Sequence, residues 1–246
     1  MFNIIFEYSI RGFEGFEKQP GLIFVFFLFY FTYFLMLEDL IVRYAFHEYQ
    51  VLLTGFFFGL FYSVLATGIV FVPDGIDWVA FVYIQVFWWG FLQSLLALYF
   101  TNRIRPRIWN HPKMGGTGWT LSISIQTIIL MLMSVDPLVT RGPGWAYIVM
   151  IAINTVVFII IAVSVYIDKG RPRKFNPSRL FDVLSLGYLI LFLISGSLLV
   201  VENGIKAGTS LYNLTISAIT VSVLILGIIL MILIVYYRKK GKEVPF

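Results

Sequence analysis

The chain has 246 residues, of which 59% are hydrophobic and 13% charged, with a net charge of +5 and a mean hydropathy of +0.88. A soluble domain ordinarily carries about 25% charged residues, and a disordered chain couples low hydrophobicity to high net charge, so the composition excludes both. With no cysteine and only His47 and His111 as imidazoles, both on connecting segments, disulfides, thiolate chemistry and a histidine-rich metal centre are excluded as well, and no cofactor is expected.

Residues Met1 to Pro20 lack the basic start, apolar core and small-residue cleavage site of a signal peptide. Phe2, Ile5, Phe6, Phe13 and Phe16 fall near one helical face and Glu7, Glu14 and Lys18 near another, so residues 1–20 read as an amphipathic segment lying in the membrane interface.

A membrane helix needs about 20 apolar residues. Seven segments meet that requirement, at Gly21 to Ile41, Val51 to Val72, Trp78 to Phe100, Trp119 to Ser134, Trp145 to Ile167, Phe181 to Val201 and Tyr212 to Tyr237. They predict an all-α fold, a polytopic bundle of seven transmembrane helices over residues 21–237, followed by a basic tail at 238–246. Lysines and arginines in short loops are retained on the cytoplasmic side. Alternation across seven spans puts fourteen of the eighteen basic residues on one face, including Arg103, Arg105, Arg107, Lys113, Lys169, Arg171 and Lys239. That asymmetry predicts an outside N-terminus and a cytoplasmic C-terminus, with the cell membrane as the expected location. It also accounts for the positive charge without nucleic acid as a partner.

At the inner end of the first span stand Glu38, Asp39 and Arg43. Asp39 and Arg43 are spaced i, i+4 and predict an interfacial ion pair, whereas Glu38 points to a different face. Asp182, at the inner end of the sixth span, reads as a partner for Arg179 or as a first-turn acid. On the third span Gly90, Gln93, Ser94 and Ala97 follow i, i+3, i+4 and i+7, one small and polar stripe that should face protein on an otherwise bulky helix. Gln85 flanks that stripe, about 80° away at 100° per residue. Gln126 on the fourth span and Asn154 on the fifth are the other amides at intermediate depth, and Ser195-Gly196-Ser197 forms a small-residue patch on the sixth. These groups can bond helix to helix or line a cavity for a neutral ligand. Carboxylates near the midplane, which ion-coupled transport uses, are missing from the sequence pattern, as is a lysine in the seventh span.

Two further features are read as incidental. Asn213-Leu214-Thr215 is a glycosylation sequon at the mouth of the seventh span, too near the bilayer for use. Lys18-Gln19-Pro20-Gly21 and Arg141-Gly142-Pro143-Gly144 both lead into aromatic helices, as Pro and Gly commonly do at helix starts.

Glu38-Asp39-Leu40-Ile41-Val42-Arg43 resembles the Glu-Glu-x-x-x-Arg motif of the CAAX-processing and bacteriocin-processing intramembrane proteases. That resemblance implies Glu38 as the base that activates water. The family follows with Phe-x-x-x-His and His-x-x-x-Asn, for which this chain has Phe58 to Tyr62 and Leu98 to Asn102, so both histidines are replaced.

The expected function is therefore non-enzymatic: a bundle binding a hydrophobic or weakly polar ligand, lipid-like in character, or a partner membrane protein. A uniporter or channel for a small neutral solute, with Gln85, Gln93, Gln126 and Asn154 as ligand or pathway groups, is the first alternative. A protease-like or lipid-modifying enzyme centred on Glu38 is the second.

Overall fold

The computed structural model describes residues 20–106, 113–135, 141–167, 177–198 and 210–240, and among them lie seven helices and one β-hairpin. Five helices are long and apolar enough to cross a membrane: α1 (Gly21–Tyr44), α2 (Glu48–Ala66), α3 (Trp78–Ile104), α4 (Gly116–Ser134) and α5 (Gly144–Ile167). They point to an integral, multi-pass membrane protein. The remaining two are α6 (Arg179–Leu198) and α7 (Ser210–Lys239). The expected amphipathic segment up to residue 19, the basic residues at 107 and 169–174, His111 and the last six residues lie outside the described residues, as do the side chains of the Ser195–Ser197 patch and the sequon.

Local sequence explains where the elements start and stop. Pro20 leads into α1, its carbonyl accepting from Ile23 N–H at 3.2 Å. At the start of α2 the Gln50 side chain turns back to accept from the His47 backbone N–H at 2.7 Å, the reciprocal half of a capping box. Asp77 caps α3, its carboxylate accepting from the backbone of Val79 and Ala80 at 3.0 Å each.

The second span is shorter than its hydropathy predicts. α2 ends in a wide i→i+5 turn over Tyr62–Ala66, and Gly68 then takes a left-handed φ of 61°, which ends the helix. The β-branched and aromatic residues that follow form not helix but a hairpin, β1 (Phe71–Val72) with β2 (Gly75–Ile76), turning at Pro73 and Asp74. The all-α reading is corrected to that extent. The hairpin lies on the start of α5, with the Phe71 and Tyr147 rings 4.7 Å apart.

The chain packs as two compact units. One takes its described residues from Phe29–Leu95 and Arg107–Lys174. In it α2 and α5 run antiparallel, joined by the Gln50 amide donating to Ser164 Oγ at 3.0 Å near one end and by the Phe57 and Phe158 rings, 5.7 Å apart, further along. A core of Leu60, Val64, Val70, Phe71, Ile76 and Met150 joins α2, the hairpin and α5. The other unit takes its described residues from Met1–Leu28, Leu96–Pro106 and Phe175–Phe246. There α6 packs on α7 through the Phe181 and Tyr237 rings, and the Tyr188 hydroxyl donates to the Ser222 carbonyl.

α3 departs from regular α geometry over Tyr83–Leu96, where the turns are i→i+5. Such a turn rotates less than 100° per residue, so the i, i+3, i+4, i+7 stripe does not describe this helix. Residues 87 to 99 are all buried, bulky and small alike, so no face of that stretch meets lipid. Of its most apolar window 61% is buried, against 17% for α4 and for α5, whose apolar faces are left for the bilayer.

Candidate functional site

Three clusters of polar groups and one pocket are built into the described helices. The first is the close contact of α1, α2, α3 and α4 in the larger unit. Gly55 and Gly59 stand i, i+4 on α2, and a Cβ at Gly55 would lie 2.1 Å from Ser94 Oγ and 2.7 Å from the Trp89 carbonyl oxygen. A Cβ at Gly59 would lie 2.2 Å from Trp89 Cγ. This glycine pair, the Gly-x-x-x-Gly signature of close membrane-helix packing, is the signal the sequence reading missed. It admits Trp89, 1% exposed, into a cluster of rings with Phe29, Tyr30, Tyr33 and Tyr62 at centroid separations of 5.3 to 6.2 Å.

Around that cluster the polar groups are paired. Tyr33 Oη and Ser94 Oγ share a hydrogen bond of 2.5 Å, and Ser94 Oγ also lies 2.7 Å from the Trp89 carbonyl, to which it donates. The Gln93 amide donates to Tyr30 Oη at 3.3 Å. Gln126 reaches α1 from α4, its Nε2 donating to the Phe29 carbonyl at 2.6 Å and to Thr32 Oγ1 at 2.7 Å. Two of the four candidate pathway amides are thus engaged in holding α1. Gln85 is different: it is wholly buried, and neither atom of its amide has a hydrogen-bond partner among the described residues.

The second cluster is at the end of α1. Asp39, 3% exposed, accepts from Arg43 Nε at 2.9 Å, from Arg43 Nη2 at 3.1 Å, from Met114 N–H at 2.6 Å and from Trp119 Nε1 at 2.9 Å. Arg43 also donates to the Met114 carbonyl at 2.8 Å. The pair is therefore a clamp that fixes the entry of α4 against α1, with every carboxylate oxygen engaged by donors. Glu38 is half-buried beside it. Tyr62, where the protease motif has a histidine, is 7% exposed in the ring cluster. Leu98 and Asn102 are likewise buried, in the other unit.

In that other unit Asp182 finds its cation on α3. Arg103 Nε and Nη2 reach its two oxygens at 2.9 and 3.1 Å, and the Tyr99 hydroxyl donates to Asp182 Oδ1 at 2.8 Å. The partner is Arg103 rather than Arg179, because helix-to-helix docking brings the guanidinium within a bidentate fork of the carboxylate.

The larger unit also contains open space. Between α2 and α5 lies a pocket of about 220 Å³. Leu60, Val64 and Met150 form its buried floor, and Phe61, Leu65 and Ile151, exposed at 39%, 41% and 67%, form its rim. Tyr147 and Asn154 complete the wall. Asn154 is 8% exposed, and its Oδ1 has no hydrogen-bond partner among the described residues. It lies ten residues into a helix of 24, roughly 15 Å along the axis and so near its middle.

Among the described residues no three His, Asp or Glu side chains converge as metal ligands. No family model matches the chain, and no curated protein or solved structure matches it either.

Proposed function

We propose that this chain is a non-enzymatic, seven-span bundle that binds a hydrophobic or weakly polar ligand within the membrane, with its basic loops and C-terminal tail on the cytoplasmic side. The pocket between α2 and α5 carries the reading: apolar walls and a rim of exposed apolar side chains suit a hydrophobic occupant. The neutral-solute pathway has weaker support, since Gln93 and Gln126 already bond to α1. An enzyme centred on Glu38 is disfavoured because neither imidazole of the protease motif is in the sequence to share its proton work.

Native mass spectrometry on the gently solubilised full chain tests the ligand reading. A discrete lipid-like adduct of stoichiometric mass is expected. A bare chain would refute it, and a stoichiometric protein partner would replace ligand binding with a role as an assembly subunit. Hydrolysis of a peptide or lipid substrate that is lost in Glu38→Gln would overturn the non-enzymatic assignment. A C-terminal reporter found outside the cell would overturn the orientation.

A further inference from the structure

Independently of the pocket, we infer that the charged end of the smaller unit seats the phosphate of an anionic phospholipid, whose acyl chains lie along the apolar helix surface beside it. Three helix ends meet there. The Tyr99 hydroxyl of α3 lies 3.1 Å from the Ser178 carbonyl oxygen, just before α6, and donates to Asp182 in the first turn of α6 at 2.8 Å. The Phe181 and Tyr237 rings, 6.2 Å apart, join α6 to α7, where Ser178 Oγ and Tyr237 Oη are 3.5 Å apart. Around this contact the chain places Arg105 six residues after Tyr99, Arg179 directly after Ser178, and Lys239 and Lys240 two and three residues after Tyr237.

These four cations are exposed, and among the described residues none has a carboxylate partner. Asp182 is the one carboxylate among the described residues of this unit, and Arg103 and Tyr99 already engage it. Positive charge gathered by packing and left without an internal counterion favours an anion from outside. The arginines offer a phosphate a planar fork and the lysines a point charge. What stands beside the cations selects a lipid over a soluble anion. Ile104, the residue before Arg105, is exposed at the end of a helix long and apolar enough to cross a membrane. Leu180, next to Arg179, is exposed too, as is Tyr236, whose ring centre lies 4.6 Å from Lys240 Nζ. Tyrosine at the end of an apolar helix marks headgroup depth. Cations and apolar surface thus share one end, which matches a molecule with an anionic head and hydrocarbon chains. In the proposed orientation this end meets the cytoplasmic leaflet, the one that carries anionic lipid.

The experiment titrates the full chain in dodecylmaltoside micelles with dioleoyl phosphatidylglycerol and with dioleoyl phosphatidylcholine, which share their chains and differ in net charge. Native mass spectrometry reads the bound lipid. At about fivefold per cation, two cations on one phosphate should make phosphatidylglycerol bind about twentyfold more tightly. Two double variants, Arg105→Gln with Arg179→Gln and Lys239→Gln with Lys240→Gln, should each lower that preference about fivefold or more. All four positions are exposed, and if one pair fails to fold the other still decides. A hydrophobic occupant of the α2–α5 pocket should survive both variants, so the two readings fail separately. Inorganic phosphate at millimolar concentration should leave lipid binding unchanged. Equal binding of the two lipids, or a preference that persists in both variants, would overturn the site. Displacement of the lipid by phosphate would overturn the lipid assignment and leave a site for a soluble anion.

Discussion

Replacing Gly59 by alanine should loosen the contact on which the larger unit is built. The new Cβ would sit 2.2 Å from Trp89 Cγ, 2.5 Å from Cδ1 and 2.6 Å from Cβ, whereas carbon atoms in contact prefer about 3.5–4.0 Å, so the ring or the helix must retreat by more than about 1 Å. Trp89 cannot swing away freely, because Phe29, Tyr30, Tyr33 and Tyr62 enclose it. Overpacking of this kind costs about 1–3 kcal/mol, and the crowding here belongs at the upper end. Alanine returns about 1 kcal/mol through its better helix propensity, leaving a net loss of about 2 kcal/mol. Unfolding in dodecylmaltoside micelles titrated with dodecyl sulfate measures it. Gly187→Ala on α6 is the control, since a Cβ there meets nothing within 4 Å and should be neutral or mildly stabilising. A Gly59→Ala protein as stable as the parent, or a Gly187→Ala protein damaged equally, would refute the close-packing account.

Three further outcomes follow from the polar groups. Asp39→Asn removes the charge that four donors surround and should destabilise the protein by about 3 kcal/mol in the same titration; a change below about 1 kcal/mol would mean that the clamp is not intact in the membrane. Gln126→Leu breaks two bonds to α1 and should cost about 1–2 kcal/mol in the same titration; an unchanged midpoint would show that the amide does not hold α4 to α1. Gln85→Met, close in volume, relieves a buried amide that has no protein partner and should raise stability by about 1 kcal/mol; a fall would show that a bound molecule satisfies Gln85.

Much of the helical architecture was legible because apolar runs of membrane length leave few alternatives, as the start of α3 at Trp78 and the end of α4 at Ser134 illustrate. The spacing of Asp39 and Arg43 likewise carries their pairing, because an i, i+4 offset alone brings the two side chains together on a helix. What escaped the pattern depends on geometry that hydropathy does not encode. Ile69, Val70, Phe71 and Val72 are as apolar as the helix before them, and only Gly68 and Pro73 mark the change to a hairpin. The wide turns of Tyr83–Leu96 spoil any argument from a 100° period. The two further donors to Asp39, Met114 and Trp119, lie 75 and 80 residues away in sequence, beyond the reach of any local pattern.

The amides illustrate how composition and environment divide the labour of identifying a site. Gln93, Gln126 and Asn154 look equivalent in sequence, one amide each at intermediate depth in an apolar helix. In the folded chain Gln93 meets a tyrosine hydroxyl and Gln126 meets a carbonyl and a threonine, so each has the partner that hydrocarbon demands and neither has a reason to recruit another. Asn154 keeps an unpaired oxygen, yet that atom is sealed off from the neighbouring pocket, whose surface is almost wholly apolar, so the open space beside it offers apolar contact rather than a hydrogen bond.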